Sequence, residues 1–170
     1  MRKHFALFLI VMILCANFGL LYAQDFDLPA RAAILMDAST GQILFAKNEH
    51  EPMPPASIVK LMTTLLVLEA LESGRASLDD MVVTSHYASS IEGSKVFLAP
   101  GETHSLEKMM QAIVIYSGND ATVAVAEYLA GTESNFVRLM NERAKELGMH
   151  NTHFIDSNGL PIGEMDNYST

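Results

Sequence analysis

The order of elements constrains this chain more than any other feature: two short strand-like runs come first, and most of the remaining chain is helical. Residues 32–37 and 42–47 are apolar-rich, and Ala38-Ser39-Thr40-Gly41 between them is turn chemistry. That combination predicts a β-hairpin. Pro52, Pro54 and Pro55 then break regular structure just before an apolar helix expected over 57–71, which Ser73-Gly74 would end. Further helices are expected over 106–116, 121–129 and 133–147, with Ser117-Gly118-Asn119-Asp120, Ala130-Gly131 and Gly148 as breaks. Residues 81–100 read as extended or irregular, with Val82-Val83 and Val96-Phe97-Leu98 as strand-like pieces, and 149–170 reads as loop. Two strands cannot make a stable sheet alone. The expectation is therefore an α/β (α+β) domain whose remaining strands are missing, in a truncated chain.

The first 23 residues stand apart. Arg2 and Lys3 precede an apolar run from Phe5 that reaches Tyr22, and Ala23 ends it before Gln24-Asp25-Phe26-Asp27. This is the layout of a secretory signal, with residues 24–170 as the mature domain. The alternative is an uncleaved anchor, since roughly 18 apolar residues can just span a bilayer. Bulky Ile13 and Leu14 before Cys15 argue against a lipoprotein signal. Removing the leader removes the one cysteine, so the mature chain can form no disulfide. It also removes two cations from a chain of net charge −9. So acidic a surface disfavours nucleic acid as a partner.

Ser57 and Lys60 lie three residues apart at the expected start of the first helix, where both side chains share a face. A serine hydroxyl becomes a useful nucleophile when a neighbour takes its proton. A lysine can take it only when neutral, which burial favours. The helix N-terminus adds free N–H groups and partial positive charge. The pair is thus a compact acyl-transfer device. Spacing alone does not establish it, because Ser105 and Lys108 repeat it, and there Ser105 reads as a helix cap and Lys108 as a solvated face. Lys60 differs in lying among Ile58, Val59, Leu61 and Met62, where a lysine is costly without a purpose. Ser117 and Asn119 add a hydroxyl and an amide in a break between two apolar helices, suited to proton relay and to gripping a peptide. On their own they also fit a plain helix connection capped by Asn119 or Asp120.

Taken together, Pro55-Ala56-Ser57-Ile58-Val59-Lys60-Leu61-Met62-Thr63 and Tyr116-Ser117-Gly118-Asn119-Asp120-Ala121 resemble the first two motifs of the penicillin-recognising serine enzymes. The resemblance is nearer to the D-alanyl-D-alanine carboxypeptidases, the low-molecular-mass penicillin-binding proteins. It extends through Asp37-Ala38-Ser39-Thr40-Gly41, Phe97-Leu98-Ala99-Pro100-Gly101-Glu102, Leu147-Gly148-Met149-His150-Asn151-Thr152-His153-Phe154, Asn158-Gly159-Leu160 and Tyr168-Ser169-Thr170. It implies a β-lactamase/transpeptidase-like fold and an exported, periplasmic hydrolase that needs no cofactor. Ser57 would be the nucleophile and Lys60 the general base. Ser117 would relay protons and Asn119 would hold the substrate, a peptidoglycan stem peptide ending in D-Ala-D-Ala. β-Lactams would trap Ser57, and membrane association is compatible with the leader.

Gly118 stands where many β-lactamases carry Asp, which favours the carboxypeptidase over the β-lactamase reading. The family's Lys-Thr-Gly motif does not occur in these 170 residues, so the chain alone is expected to be inactive. A non-catalytic penicillin- or peptidoglycan-binding module and a β-lactamase remain the alternatives. His150 and His153, with Asp156 following, lack a glutamate partner pattern and read as loop, not as a zinc site. Met62, Met109, Met110 and Met140 read as core packing. Asn167-Tyr168-Ser169 matches a glycosylation pattern by chance.

Overall fold

The computed structural model describes residues 28–160 and 167–169. The expected leader, residues 1–23, lies outside them. The chain divides into two compact units, residues 1–48 and 49–170.

In the first unit, β1 (Ala33–Met36) pairs antiparallel with β2 (Ile43–Lys47), Leu35 opposite Phe45, with a bulge between Leu35 and Met36. The turn is organised by Asp37, whose Oδ1 accepts from the backbone N–H and hydroxyl of both Ser39 and Thr40 at 2.7–3.0 Å. Those hydroxyls and N–H groups hold the Asp37 carboxyl down to about 2.

The second unit is a helical cluster with one small sheet. A 3-10 turn (Ala56–Val59) leads into α1 (Lys60–Glu72). β3 (Met81–Val83), α2 (His86–Ser90) and β4 (Thr103–Ser105) come next, and then α3 (Leu106–Tyr116), α4 (Asn119–Ala130) and α5 (Glu133–Glu146). β3 and β4 pair antiparallel, Val82 opposite His104. α4 is the central element. Its first eight residues are all buried, and Ala, Val and Thr let neighbours approach on every side. Val67, Leu106, Met109, Ile113 and Val123 pack on one side of the core. Val59, Met62, Phe136, Met140 and Phe154 pack on the other. Met62, Met109 and Met140 are therefore core side chains, as expected. Side-chain caps start α2, α3 and α5: Ser85 accepts from Ala88 N–H, Ser105 from Lys108 N–H and Thr132 from Asn135 N–H.

Residues 81–100, expected to be extended or irregular, contain α2, and three further expectations need correction. The segment from Ser57 opens as a 3-10 turn, and regular α-helix begins at Lys60. Val96-Phe97-Leu98 forms no strand, because its amides serve a side chain: Val96 N–H donates to Asp120 Oδ1 and Leu98 N–H to Asp120 Oδ2, at 3.1 and 3.0 Å. Phe97 between them has φ of +61°, which no strand residue adopts. Third, the surroundings of Lys60 are only half apolar core: Val59 and Met62 are buried, whereas Ile58 and Leu61 are exposed.

Candidate active site

In the acyl-transfer pair the two side chains differ in their access to water. Ser57 is exposed, while Lys60 one turn later is only 5% exposed. A nucleophile must be reachable, and its base must be kept from water. Lys60 Nζ lies 3.2 Å from Ser57 Oγ and donates to the Asn158 backbone carbonyl at 2.7 Å. Burial lowers the amine to about 8, with the charge of Asp156 acting in the opposite direction. At pH 7 roughly one molecule in ten then carries the neutral amine.

Ser117 reaches the same place from α3. It ends that helix in the left-handed conformation, φ +56°. For a serine this costs roughly 1 kcal/mol or more. Its Oγ is buried and has no hydrogen-bond partner among the described residues. Ser57, Lys60, Leu61, Thr64, Ile113, Val114 and Ser117 line one cavity of about 210 Å³. An unpartnered buried hydroxyl on the same cavity as a serine and a lysine is chemically able to pass a proton.

Asn119 sits differently. It is buried at the start of α4, its backbone N–H donates to Ser94 O at 2.7 Å, and its Nδ2 donates to Glu92 O at 2.8 Å. It is not among the residues lining the cavity. The structure therefore brings Ser57, Lys60 and Ser117 together around one cavity, while Asn119 anchors the 92–94 segment. Asp120 anchors residues 96 and 98 from the acceptor side, its carboxylate taking their N–H groups, and was legible in the sequence only as a candidate cap.

The wall that sequence reasoning missed is the segment 154–159. Thr63 Oγ1 donates to Ser157 O at 2.7 Å, beside the Lys60–Asn158 contact. Asn141 grips Phe154 on both sides, accepting from its N–H and donating to its carbonyl. Glu133 Oε1 accepts from the Ser157 N–H and hydroxyl, and Tyr87 donates its hydroxyl to Oε2. Burial and that carboxylate push the Tyr87 hydroxyl up to about 12. Gly159 presses on the turn that carries Ser57. A Cβ there would stand 1.9 Å from Ala56 O, and φ is +86°, so only glycine fits. The usable signal was Asp156-Ser157-Asn158-Gly159, an Asx-type turn. Asp156 belongs to that turn, whereas His150 and His153 are exposed. Among the described residues no cluster of three or more His, Cys, Asp or Glu side chains is arranged to hold a metal ion.

The family model described as D-alanyl-D-alanine carboxypeptidase, peptidase family S11, matches residues 21–170. The chain is 47% identical over 131 residues to D-alanyl-D-alanine carboxypeptidase DacF of Bacillus subtilis, covering 77% of this chain and 34% of that protein. Among solved structures, D-alanyl-D-alanine carboxypeptidase DacD from Francisella tularensis superposes with a TM-score of 0.81 at 42% identity, over 85% of this chain and 34% of that one. Penicillin-binding protein D2 from Listeria monocytogenes, in its ampicillin-bound form, gives 0.76 at 30% identity, over 86% and 58%. The chain thus spans about a third of the length of the curated relatives it matches. The mixed α/β arrangement of two small sheets and a helical cluster is the corresponding part of the penicillin-binding-protein fold. With the family model matched over nearly all of the sequence, the chain belongs to peptidase family S11, the D-alanyl-D-alanine carboxypeptidases.

Proposed function

We propose that this chain carries the nucleophile-and-base portion of a serine-type D-alanyl-D-alanine carboxypeptidase acting on peptidoglycan stem peptides. The observation that carries the reading is the buried Lys60 amine, 3.2 Å from the exposed Ser57 hydroxyl. Ser57 Oγ attacks the carbonyl between the two D-alanines as its proton passes to Lys60 Nζ. The tetrahedral intermediate collapses, and the proton returns to the leaving amine by way of Ser117. D-Alanine departs, and water hydrolyses the acyl-enzyme. Asn119 positions substrate with whatever hydrogen-bonding capacity its contact with Glu92 leaves. The Listeria relative is described with ampicillin bound, and in this reading a β-lactam acylates Ser57 as a substrate mimic.

Residues 1–23 act as the export signal, so the site works outside the cytoplasmic membrane. No helix among the described residues is long and apolar enough to cross a membrane. A Lys-Thr-Gly strand has to complete the site, and losing one oxyanion donor already costs about 10²–10³ in rate.

The test uses the chain within its full open reading frame, with the chain alone as the control expected to release no D-alanine. A fluorescent penicillin should label Ser57, Ser57→Ala should abolish the label, and a stem-peptide mimic should release D-alanine. Labelling without D-alanine release means a binding module, and rapid penicillin turnover means a β-lactamase. Labelling that survives Ser57→Ala refutes the serine nucleophile.

A further inference from the structure

Lys60 has two neighbours to satisfy, and they divide its nitrogen between them. A neutral amine has two hydrogens and one lone pair. The Asn158 carbonyl at 2.7 Å takes a hydrogen, which leaves the lone pair free to turn to Ser57 Oγ at 3.2 Å. The aim of the base therefore depends on where that carbonyl is held. A backbone carbonyl has no adjustable side chain, so its position is set by the turn that contains it.

That turn is built on one carboxylate. Asp156 Oδ1 accepts from Asn158 N–H at 2.8 Å and from Gly159 N–H at 2.5 Å. Its Oδ2 accepts from Asn167 Nδ2 at 2.8 Å, and Asn167 Oδ1 accepts from Ile155 N–H at 2.8 Å. Asp156 is 3% exposed and Asn167 fully buried. We propose that Asp156 is the positioning residue of Lys60: by capping the turn 156–159 it presents the Asn158 carbonyl to the amine and so fixes that amine on the Ser57 hydroxyl. The proposal rests on the reading of Lys60 as base.

The same carboxylate has a second effect. Its charge acts on Lys60 in opposition to burial. The other acidic groups on this side are Glu133 from α5 and Glu127 from α4, with the Tyr87 hydroxyl of α2 bonded to Glu133. Arg143 of α5 is taken by Glu69 and Glu146. Asp156 thus aims the base and holds back its deprotonation.

Two readouts test this. The first is the pH dependence of Lys60 acetylation by trace acetic anhydride, with Lys108 of the same molecule as internal reference. It needs no enzymatic activity, so it stands even if Ser57 never reacts with penicillin. The second is the high-pH plateau rate of Ser57 labelling by fluorescent penicillin in the full open reading frame.

Asp156→Ala should move Lys60 titration to lower pH without moving Lys108. It should also lower the labelling plateau about tenfold or more, as misplacement of a catalytic group does. Asp156→Asn combined with Asn167→Asp reverses donor and acceptor in the buried pair. Every hydrogen bond is kept while the charge moves one residue away, so this variant should fold and keep the plateau to within about threefold. A folded Asp156→Ala with native Lys60 titration overturns the proposal. If Asp156→Ala does not fold, a folded double variant that loses labelling tenfold overturns it equally.

Discussion

Ser57–Lys60 and Ser105–Lys108 have the same spacing, and each lies where a helix begins, but they are opposite in their burial. At the second pair the serine faces its own backbone, with Ser105 Oγ accepting from Lys108 N–H, and Lys108 is exposed. At the first pair the serine caps nothing and stands in the open, while its lysine is sealed beneath it and held by a carbonyl 98 residues away in sequence. The difference teaches that the motif is not the spacing but the solvation of the amine. An exposed ammonium is fully stabilised by water and remains charged. A buried one is destabilised enough to release its proton near neutral pH. What surrounds each lysine is decided by distant parts of the chain.

The comparison breaks most sharply by mutation. Ser57→Ala or Lys60→Ala should lower the rate of penicillin labelling by about 10³ or more, as removing a member of a catalytic unit does elsewhere. Ser105→Ala and Lys108→Ala should leave it within about twofold, since neither touches the cavity. Labelling kinetics on the four variants check this. A large loss at position 108 would mean that spacing matters after all.

A smaller effect comes from pH. Lys60 acts as base only when neutral, so labelling should rise through about pH 8, by roughly tenfold between pH 7 and pH 9. Stability should change with a defined sign. The folded-state value lies below the ordinary 10.5 of an unfolded lysine. Between about 8 and 10.5 the unfolded chain therefore binds more protons at this site. The cost of burying the ammonium is full below about 8 and is relieved as pH rises through that window. Urea titrations at pH 7.5 and 10 should show this gain in the native chain and lose it in Lys60→Met.

Much of the fold was legible, for reasons the same contrast explains. α3 matches its expected bounds, and α4 and α5 lie within two residues of theirs, because eleven or more residues of apolar periodicity outweigh local noise. α2 was missed, since five residues have no period to read, and its start depends on a single cap from Ser85. β4 was missed because Thr103–Ser105 is polar and owes its conformation to pairing with β3. Ser57, Lys60 and Ser117 were legible as candidates because hydroxyls and amines are written in residue type, but that they share one cavity was not. The Asn158 carbonyl was not, because every residue has one, and nothing local says that this one meets a lysine. Asn119 was legible as a polar group in a break, but not as an anchor of the 92–94 segment, since its partners are backbone atoms of another loop.

The smallest effect sharpens the other side of the comparison. If Ser105 is a cap and nothing more, Ser105→Ala should cost about 1 kcal/mol of stability with labelling unchanged. The Oγ–N distance to Lys108 is 3.4 Å, the long end of a hydrogen bond, which favours the lower part of the usual range. Ser105→Asp should recover the loss, because a carboxylate both caps and complements the positive end of α3. At Ser57 the same Asp substitution should recover no labelling at all, since a carboxylate has no proton to give Lys60 at neutral pH and would bind the ammonium in its charged form. Thermal melts of the Ser105 variants, set beside labelling of Ser57→Asp, test whether one serine serves its own helix and the other the proposed reaction.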